Sequence, residues 1–433
     1  MHEPAVETRP WGEQVALDDA SYREQLAYLL EHSAFYREKL GAAGVGAAAE
    51  AGGLAEIAAL PLTEKRELKA TATRENPVGA HLCVAREEIV RIYSTSGTTG
   101  TPSYIPLTAA DLDNWVTGSA RSYSASGVRP GQRIVSTYNA GPFVAGAALD
   151  GFERAGLSHV PVGTGNTERL MLAVDLLRPE AVVLTPSYAA YLVEWAQERS
   201  FDLHGSSVKR VLVGGEPGGG EPAFRAQLEE GWGARVTEVM GIGDVGASLW
   251  GECEEQDGMH LGARGFVYPE LIDPDTGESR ALADGATGEL VLTHLRHRAA
   301  PVMRFRTRDH VEIRTGSCAC GRTAPRVRCV GRTDDMLIVR GVNVFPSALR
   351  EVVRGFAPDV SGHILVRPAA PGVKQEPPLP VAVELARDAP AGDSLAETIR
   401  ARIRDVLVVQ TRVELVPFGT LQRSEYKSKL VER

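Results

Sequence analysis

The sequence predicts an α/β protein with a large N-terminal domain over residues 1–333 and a small C-terminal α+β domain over residues 334–433. Three observations lead to this prediction. Between about residues 90 and 250, short β-prone runs alternate with helical stretches, as in layered α/β sheets with many parallel strands. After residue 260, short runs separated by turns indicate a more antiparallel, barrel-like subdomain. From Asp334 onward, helical and β-prone segments mix in a small unit.

The individual elements follow in chain order. Apolar residues at helical spacing predict a helix over 20–43, and the Ala/Gly-rich stretch 44–60 predicts a second helix with poorly defined ends. In the large domain, the clearest strands are predicted over 134–138, 181–185 and 210–214, with helical patterns over 189–199 and 222–231. The small domain is predicted to contain a helix over 346–356, strands over 362–367 and 380–386, and a Pro-rich hairpin loop over 368–379.

Composition and charge exclude several classes of protein. The chain has 47 basic and 56 acidic residues, a net charge of −9, so no general surface for nucleic acid is expected. No apolar run approaches 18 residues, and the start Met1-His2-Glu3-Pro4 lacks a signal-peptide pattern. We therefore expect a cytoplasmic protein without a membrane partner. Five cysteines in so long a chain do not make a disulfide framework.

A hydroxyl-rich loop, residues 94–102, is the most informative segment of the chain. It follows the β-prone run 89–93 and contains six Ser or Thr residues and two glycines. Glycines let successive backbone N–H groups turn inward toward an anion, and hydroxyl groups add further donors. The alternative is a solvated turn. The residues predicted to bind phosphate are Ser94, Thr95, Ser96, Gly97, Thr98, Thr99 and Gly100.

This loop resembles the phosphate-binding loop of adenylate-forming enzymes, the superfamily of acyl-CoA synthetases, luciferases and adenylation domains. It is not a Walker A loop, because Gly-x-x-x-x-Gly-Lys-Ser/Thr is absent. Four further motifs resemble those of the superfamily in the same order. They resemble most the phenylacetate–CoA ligase branch, over the chain from about residue 20 to the C-terminus.

The second motif is Met240-Gly241-Ile242-Gly243-Asp244. The resemblance implies that its acidic residue helps hold Mg²⁺, which prefers hard oxygen ligands. The chain departs from the family here, with Met240 for an aromatic residue, Gly243 for a hydroxyl residue and Asp244 for Glu. The alternative is a Gly-rich turn with a solvated carboxylate. The upstream run 213–217, Val-Gly-Gly-Glu-Pro, resembles the family's Gly-Ala-Glu-Pro turn. Together the two segments imply that the nucleotide contacts Gly215, Glu216, Pro217, Met240 and Gly241.

The third and fourth motifs lie at the end of the large domain. Phe305-Arg306-Thr307-Arg308-Asp309 resembles Tyr-Arg-Thr-Gly-Asp, whose carboxylate accepts hydrogen bonds from both ribose hydroxyls. Arg308 replaces a glycine, and a surface ion pair is the alternative reading. The longest match, 331–346, implies that Arg332 lies near the ribose and that Asp334 is the hinge about which a mobile small domain turns. Read without the family, it is an ordinary turn and strand.

The fifth motif, 421–427, resembles Pro-Arg-Ser-Glu-Gly-Lys. The resemblance implies that Lys427 stabilises the charge that develops at the α-phosphate as the adenylate forms. Tyr426 replaces a glycine, and Lys429 lies two residues further on. The alternative is a solvated basic tail.

Four residues form a candidate zinc site. Cys318 and Cys320 are separated by one residue, and Cys253 with His260 lies at the start of the same region. Three thiolates and one imidazole make a closed tetrahedral set, which is typical of structural Zn²⁺. Similar Cys-x-Cys-Gly-Arg segments occur in the phenylacetate–CoA ligase branch. Reduced cysteines without a metal are the alternative, and Cys83 and Cys329 are interpreted as core thiols.

The resemblance implies a two-step ligase that uses ATP, Mg²⁺ and CoA. An aromatic acid, such as phenylacetate, benzoate or an amino- or hydroxybenzoate, is converted to an acyl-adenylate and then to the CoA thioester. By the match, the acyl pocket contains Tyr138, Phe143, Gly214 and Gly241. Two alternatives stay open: transfer to a carrier-protein thiol, an amine or a hydroxyl group, and a nucleotide-binding relative that no longer catalyses. Relatives are often dimers, so a homodimer is also considered.

Overall fold

A computed structural model describes residues 1–95, 103–138, 146–333, 335–340, 342–370, 372–387, 389, 392–423 and 429–432, with the backbone alone for residues 343 and 393. Within this described part, no helix is both long enough and apolar enough to cross a membrane.

The large part of the chain begins with helices and then alternates strands with helices. The helices are α1 Pro4–Glu7, α2 Trp11–His32, α3 Ala34–Ala42, α4 Lys65–Ala70, α5 Ala109–Ala125, α6 Ala147–Arg154, α7 Thr167–Leu177, α8 Pro186–Glu198 and α9 Pro222–Trp232. Short 3₁₀ helices cover Ala48–Ala51, Leu54–Ala59 and Arg86–Glu88. A separate antiparallel hairpin contains β1 Ile89–Ser94 and β2 Tyr104–Thr108.

A twelve-stranded sheet organises the large part. Its strands are β3 Arg133–Ser136, β4 Ser158–Pro161, β5 Ala181–Leu184, β6 Arg210–Gly214, β7 Arg235–Ile242, β8 Gly246–Glu252, β9 Met259–Leu261, β10 Val267–Ile272, β11 Ser279–Arg280, β12 Thr287–His294, β13 Phe305–Arg314 and β14 Arg326–Arg332. The spatial order is β11-β10-β12-β13-β14-β9-β8-β7-β6-β5-β3-β4.

The sheet has a parallel half and an antiparallel half. Strands β3 to β7 pair in parallel, and helices cover both of their faces. One hydrophobic core packs α7, α8 and α9 against this half, and another packs α5 and α6. The predicted layered α/β fold is thus confirmed. The turn-rich region after residue 260 supplies antiparallel strands, as expected, but these strands extend the same sheet.

The small part of the chain is a mixture of helices and strands, as predicted. It contains β15 Leu337–Val339, β16 Val342–Val344, α10 Pro346–Arg354, β17 Val360–Val366, β18 Lys374–Gln375, β19 Leu379–Leu385, α11 Asp393–Leu407 and β20 Thr411–Val416. Strands β17, β19 and β20 form one sheet, and β16, β15 and β18 form another. Its own hydrophobic core includes Leu349, Val353, Val381, Ile399 and Ile403. The domain limits 1–333 and 334–433 remain predictions.

Three local predictions were wrong. The helix over 20–43 is interrupted at Ser33, whose side chain accepts a hydrogen bond from the Tyr36 N–H and so begins α3. Residues 44–60 form two 3₁₀ helices, because Gly52, with a φ of +73°, turns the chain between them. The Pro-rich segment 368–379 contains β18, which pairs in parallel with β15.

Candidate active site

The hydroxyl-rich loop joins β1 to β2, and backbone pairing holds its flanks together. The Thr95 N–H donates to the Ser103 carbonyl oxygen over 3.0 Å, and the Ser103 N–H donates to the Thr95 hydroxyl over 3.3 Å. Ser94, the last residue of β1, is buried. The predicted phosphate-binding residues Ser96, Gly97, Thr98, Thr99 and Gly100 lie outside the described residues.

An ion pair lies beside this flank. The Lys65 Nζ atom is 2.7 Å from Asp244 Oδ2 and 3.2 Å from Thr95 Oγ1. Lys65 begins α4, and Asp244 lies in the turn between β7 and β8, so three distant segments meet here. Asp244 was predicted as a site residue, whereas Lys65 was not. A single lysine after Pro61-Leu62-Thr63-Glu64 has no spacing signal that would identify it.

The residues around Asp244 fit a magnesium ion bound mainly by substrate oxygens. Asp244 offers a carboxylate, Thr95 offers a hydroxyl, and the Lys65 ammonium already neutralises part of the carboxylate charge. Mg²⁺ in nucleotide sites is commonly held by one or two carboxylates, with phosphates and water completing its shell. Asp244 would hold the ion in this way.

Tyr138, Gly214 and Gly241 lie around the carboxyl ends of β6 and β7. The Tyr138 hydroxyl oxygen is 3.4 Å from where a Cβ on Gly214 would stand, and that Cβ would collide with the Val239 carbonyl oxygen. A Cβ on Gly241 would overlap the carbonyl oxygen of Ala247 on the neighbouring strand β8. These two glycines are therefore required by close backbone approach, whatever ligand they face. The predicted pocket residue Phe143 lies outside the described residues.

The turn after β6 is anchored to a helix. Gly215 has a φ of +91°, which favours glycine, and Glu216 Oε1 accepts a hydrogen bond of 2.8 Å from the Ser187 N–H in the first turn of α8. Met240 is half-buried against a hydrophobic core of the large part. Strands β6 and β7 are neighbours in the sheet. The predicted nucleotide residues therefore lie at two adjacent strand ends: Gly215, Glu216 and Pro217 follow β6, and Met240 and Gly241 lie near the end of β7.

The two residues predicted to contact the ribose lie opposite each other. Asp309 on β13 pairs in register with Arg332 on β14, and Arg332 Nη1 is 3.3 Å from Asp309 Oδ1. The Asp309 N–H donates to the Thr307 hydroxyl over 3.1 Å, which orients the backbone of Asp309. The structure therefore brings together a carboxylate and a cation from separate motifs.

A buried carboxylate links this strand pair to the segment before Lys65. Glu289 is fully buried and accepts two hydrogen bonds from Arg306, of 2.9 and 2.7 Å. Arg308 has a left-handed φ of +66°, and its guanidinium is 3.0 Å from Glu64 and 3.6 Å from Glu289. The Arg308 carbonyl accepts from the Thr333 N–H over 2.7 Å. Arg308 thus replaces a family glycine and still adopts a conformation that favours glycine.

The predicted hinge Asp334 and catalytic Lys427 lie outside the described residues. The preceding part of the C-terminal segment contacts both parts of the chain. Arg423 is 2.6 Å from Glu384 on β19 and 3.2 Å from Glu194 on α8.

The four predicted zinc ligands come together. One ligand atom from each of Cys253, His260, Cys318 and Cys320 lies within 4.8 Å of all the others. The Cys253 and Cys318 sulfurs are 3.6 Å apart, and the Cys320 sulfur is 3.3 Å from His260 Nε2. Zinc–sulfur bonds of about 2.3 Å in a tetrahedron place sulfurs roughly 3.8 Å apart, so the group fits Zn²⁺.

The thiols of this cluster share a proton. Hydrogen bonds from Cys253 and then from His260 lower the pKa of Cys320, whereas the hydrogen bond with Cys320 and burial raise the pKa of Cys253. A thiolate is the form that binds zinc. Cys83 and Cys329, which were interpreted as core thiols, are only partly buried and pack at the margins of hydrophobic cores.

The chain is similar to known protein families and to individual proteins. Residues 14–295 match the family described as AMP-binding enzyme, and residues 341–432 match the AMP-binding enzyme C-terminal domain. The chain is 35% identical to phenylacetate-coenzyme A ligase of Thermus thermophilus, over 98% of this chain and 97% of that protein. It is 34% identical to phenylacetate-coenzyme A ligase of Escherichia coli K12, over 98% and 95%.

Solved structures give the same result. The chain superposes on 2-hydroxyisobutyryl-CoA ligase in the postadenylation state with a TM-score of 0.91, at 27% identity, covering 99% of this chain and 91% of that one. For the same enzyme in the thioesterification state the TM-score is 0.73, at 29% identity and the same coverage.

These matches define the class: the chain belongs to the AMP-binding enzyme family. Within it, the chain is an AMP-forming ligase of the adenylate-forming superfamily, in the phenylacetate–CoA ligase-like branch.

Proposed function

We propose that the protein activates an aromatic carboxylic acid with ATP and transfers the acyl group to CoA. A carboxylate oxygen of the acid attacks the α-phosphorus and pyrophosphate leaves, which gives the acyl-adenylate. The CoA thiolate then attacks the acyl carbon and AMP leaves with its bonding electrons. The observation that carries this proposal is the pairing of Asp309 with Arg332, together with the Lys65–Asp244 ion pair at the loop flank. The contact of Arg308 with Glu64 connects the two segments.

Each side chain has a part in the first step. Asp309 accepts hydrogen bonds from the ribose hydroxyls, and Arg332 holds that carboxylate in place. Lys65 orients Asp244 and adds positive charge beside the phosphates. When bound at Asp244, Mg²⁺ offsets phosphate charge. Lys427 stabilises the charge that develops at the α-phosphate. Positioning and charge stabilisation are the main needs of phosphorus chemistry of this kind.

The substrate class rests on the relatives and on the acyl pocket. Two relatives that align along nearly their whole length are named phenylacetate-coenzyme A ligases. The Tyr138 hydroxyl lies beside Gly214 at the carboxyl end of β6, so an aromatic side chain is part of the proposed acyl pocket. Phe143 would add a second aromatic wall. A structural relative is named for 2-hydroxyisobutyrate, so a small aliphatic acid is the competing substrate class.

The remaining assignments extend this proposal. The small domain, 334–433, turns about Asp334 between the two steps. Cys253, His260, Cys318 and Cys320 hold a structural Zn²⁺ that joins the β8–β9 connection to the loop before β14. Reduced thiols in this role suit a cytoplasmic location. The acceptor is CoA in preference to a carrier protein, because the curated relatives are named CoA ligases. A homodimer remains a prediction from the family.

The test is product formation from a panel of acids. Phenylacetate, benzoate, amino- and hydroxybenzoates and 2-hydroxyisobutyrate are each incubated with the protein, ATP, Mg²⁺ and CoA, and thioesters are identified by mass spectrometry. We expect an aryl-CoA product and stoichiometric AMP. Preference for 2-hydroxyisobutyrate would overturn the aromatic assignment. Acyl-adenylate that accumulates without a CoA thioester would overturn the assignment of the acceptor.

A further inference from the structure

A cluster of charged side chains joins the small part of the chain to the large part. We name it the Glu221 cluster, and it consists of Glu221, Arg350, Glu351 and Arg354. Glu221 immediately precedes α9, and the other three residues lie on α10. Glu221 is 2.8 Å from Arg350 Nη2 and 3.3 Å from Arg354 Nη1. Glu351 Oε1 accepts a hydrogen bond of 2.8 Å from the Ala223 N–H at the start of α9.

The two arginines of the cluster are buried, its two carboxylates are partly buried, and its charges balance. Arg350 is 2% exposed and Arg354 is 8% exposed, which is rare for arginine. Two guanidinium groups face two carboxylates, and Arg354 also lies 3.0 Å from the centroid of the Phe224 ring. Glu221 is the carboxylate that both arginines share. Removing one partner of such a buried set leaves an uncompensated charge, which is far more costly than losing an exposed ion pair.

The same cluster contacts the loop that leads into the nucleotide site. Arg350 Nη2 donates to the Pro217 carbonyl oxygen over 2.8 Å. Pro217 follows Glu216 directly, and Glu216 is anchored to the start of α8 by its hydrogen bond to Ser187. A Cβ on Gly218 would stand 3.1 Å from Arg350 Nη2, so the guanidinium packs closely against this loop. Docking of α10 and the position of this loop are therefore physically connected.

The arrangement in which the cluster forms resembles one state of a relative. The TM-score is 0.91 against 2-hydroxyisobutyryl-CoA ligase in the postadenylation state and 0.73 against its thioesterification state. We propose that Glu221 is a positioning residue for adenylation: by binding Arg350 and Arg354, it holds the small domain in the arrangement used in the first step. This proposal rests on the proposed function, because it assumes that the small domain moves between two steps.

The two half-reactions separate this role from a general effect on folding. In Glu221→Gln, the amide keeps the size of the side chain but leaves two buried arginines with one carboxylate. We expect acid-dependent ATP–pyrophosphate exchange to fall at least tenfold. Thioester formation from supplied acyl-adenylate and CoA should stay within threefold of wild type, since that step uses the other arrangement. Arg350→Lys keeps the charge, loses the forked contact to Glu221 and Pro217, and should show a smaller loss in the same direction.

The chain offers a matched control. Glu198 on α8 pairs with Arg387 of the small part, also across the boundary, but their side chains are 49% and 56% exposed. Exposed pairs contribute little, so Glu198→Gln should leave both half-reactions unchanged. If Glu221→Gln leaves both half-reactions unchanged, or lowers both by the same factor, the proposal is wrong.

A measurement without substrate distinguishes this proposal from the proposed function. Small-angle X-ray scattering of the wild-type protein should fit the docked arrangement, and Glu221→Gln should deviate from it. Identical scattering curves would overturn the proposal. A wild-type protein that lacks acid-dependent exchange would contradict the proposed function, and scattering would still decide whether Glu221 holds the domain.

Discussion

Replacing Lys65 with methionine removes the ammonium group beside Asp244 and keeps a side chain of similar length. Lys65 Nζ is 2.7 Å from Asp244 Oδ2 and 3.2 Å from Thr95 Oγ1. The proposed mechanism needs that charge where the phosphates bind. We therefore expect Lys65→Met to slow adenylation strongly and to change the stability of the fold only slightly.

The structure allows an estimate of both effects. The Lys65 and Asp244 side chains are 37% and 15% exposed, so solvent screens the pair and its loss costs about 0.2–1 kcal/mol of folding stability. A charge-assisted hydrogen bond in the reacting complex contributes roughly 1.5–3 kcal/mol. At 1.36 kcal/mol for each factor of ten, the exchange rate should fall by about 10- to 150-fold.

The assay is acid-dependent ATP–pyrophosphate exchange, with urea unfolding measured on the same samples. Lys39→Met is the matched control. Lys39 lies on α3, and its Nζ atom is 2.6 Å from Glu67 of α4, the helix that Lys65 begins. The control should exchange at the wild-type rate. An exchange rate for Lys65→Met within twofold of wild type would refute the role given to Lys65.

Three further predictions concern metal, backbone and pH. Elemental analysis of the wild-type protein should find roughly one zinc per chain. Cys318→Ser should abolish it and lower the free energy of unfolding by up to about 4 kcal/mol, whereas Cys329→Ser should retain the metal. Gly241→Ala should lower the free energy of unfolding, measured in urea, by about 1–3 kcal/mol or more, because the added Cβ would overlap a carbonyl oxygen. The control Gly316→Ala has open space around the added Cβ and should change that free energy by less than about 0.5 kcal/mol. Burial and a neighbouring carboxylate raise the pKa of Glu238 to about 7, so the folded state keeps a proton that the unfolded state loses near pH 4.5. Stability should therefore fall as pH rises from about 4.5 to 7, and Glu238→Gln should flatten that dependence.

Motifs with a strict chemical requirement could be predicted from the sequence. Asp309 and Arg332 belong to separate motifs, and antiparallel pairing of β13 with β14 brings them together. The four candidate zinc ligands come from three segments. Their residue types and the Cys-x-Cys spacing singled out the set, and the structure brings their ligand atoms within 4.8 Å of one another. In both cases the chemistry of the proposed ligand, a ribose or a zinc ion, limits which residue types can bind it.

Lys65 could not be predicted, because its position depends on tertiary contacts. The Thr63 N–H donates to the Arg304 carbonyl over 2.8 Å, and the Arg306 N–H donates to the Thr63 carbonyl over 2.9 Å. These bonds fix the segment before α4 against β13 and so direct Lys65 toward Asp244. The interruption of the predicted helix at Ser33 was also missed. Ser33 caps the start of α3, and a cap at a single residue leaves the helical spacing of the apolar residues on either side in place.

The most direct test of the central claim is ATP–pyrophosphate exchange by the wild-type protein, with and without Mg²⁺ and across the panel of acids. The account predicts exchange that requires both Mg²⁺ and an aromatic acid, since the label returns to ATP only through reversible formation of an acyl-adenylate. Folded protein that binds ATP and shows no exchange with any of the acids would contradict it.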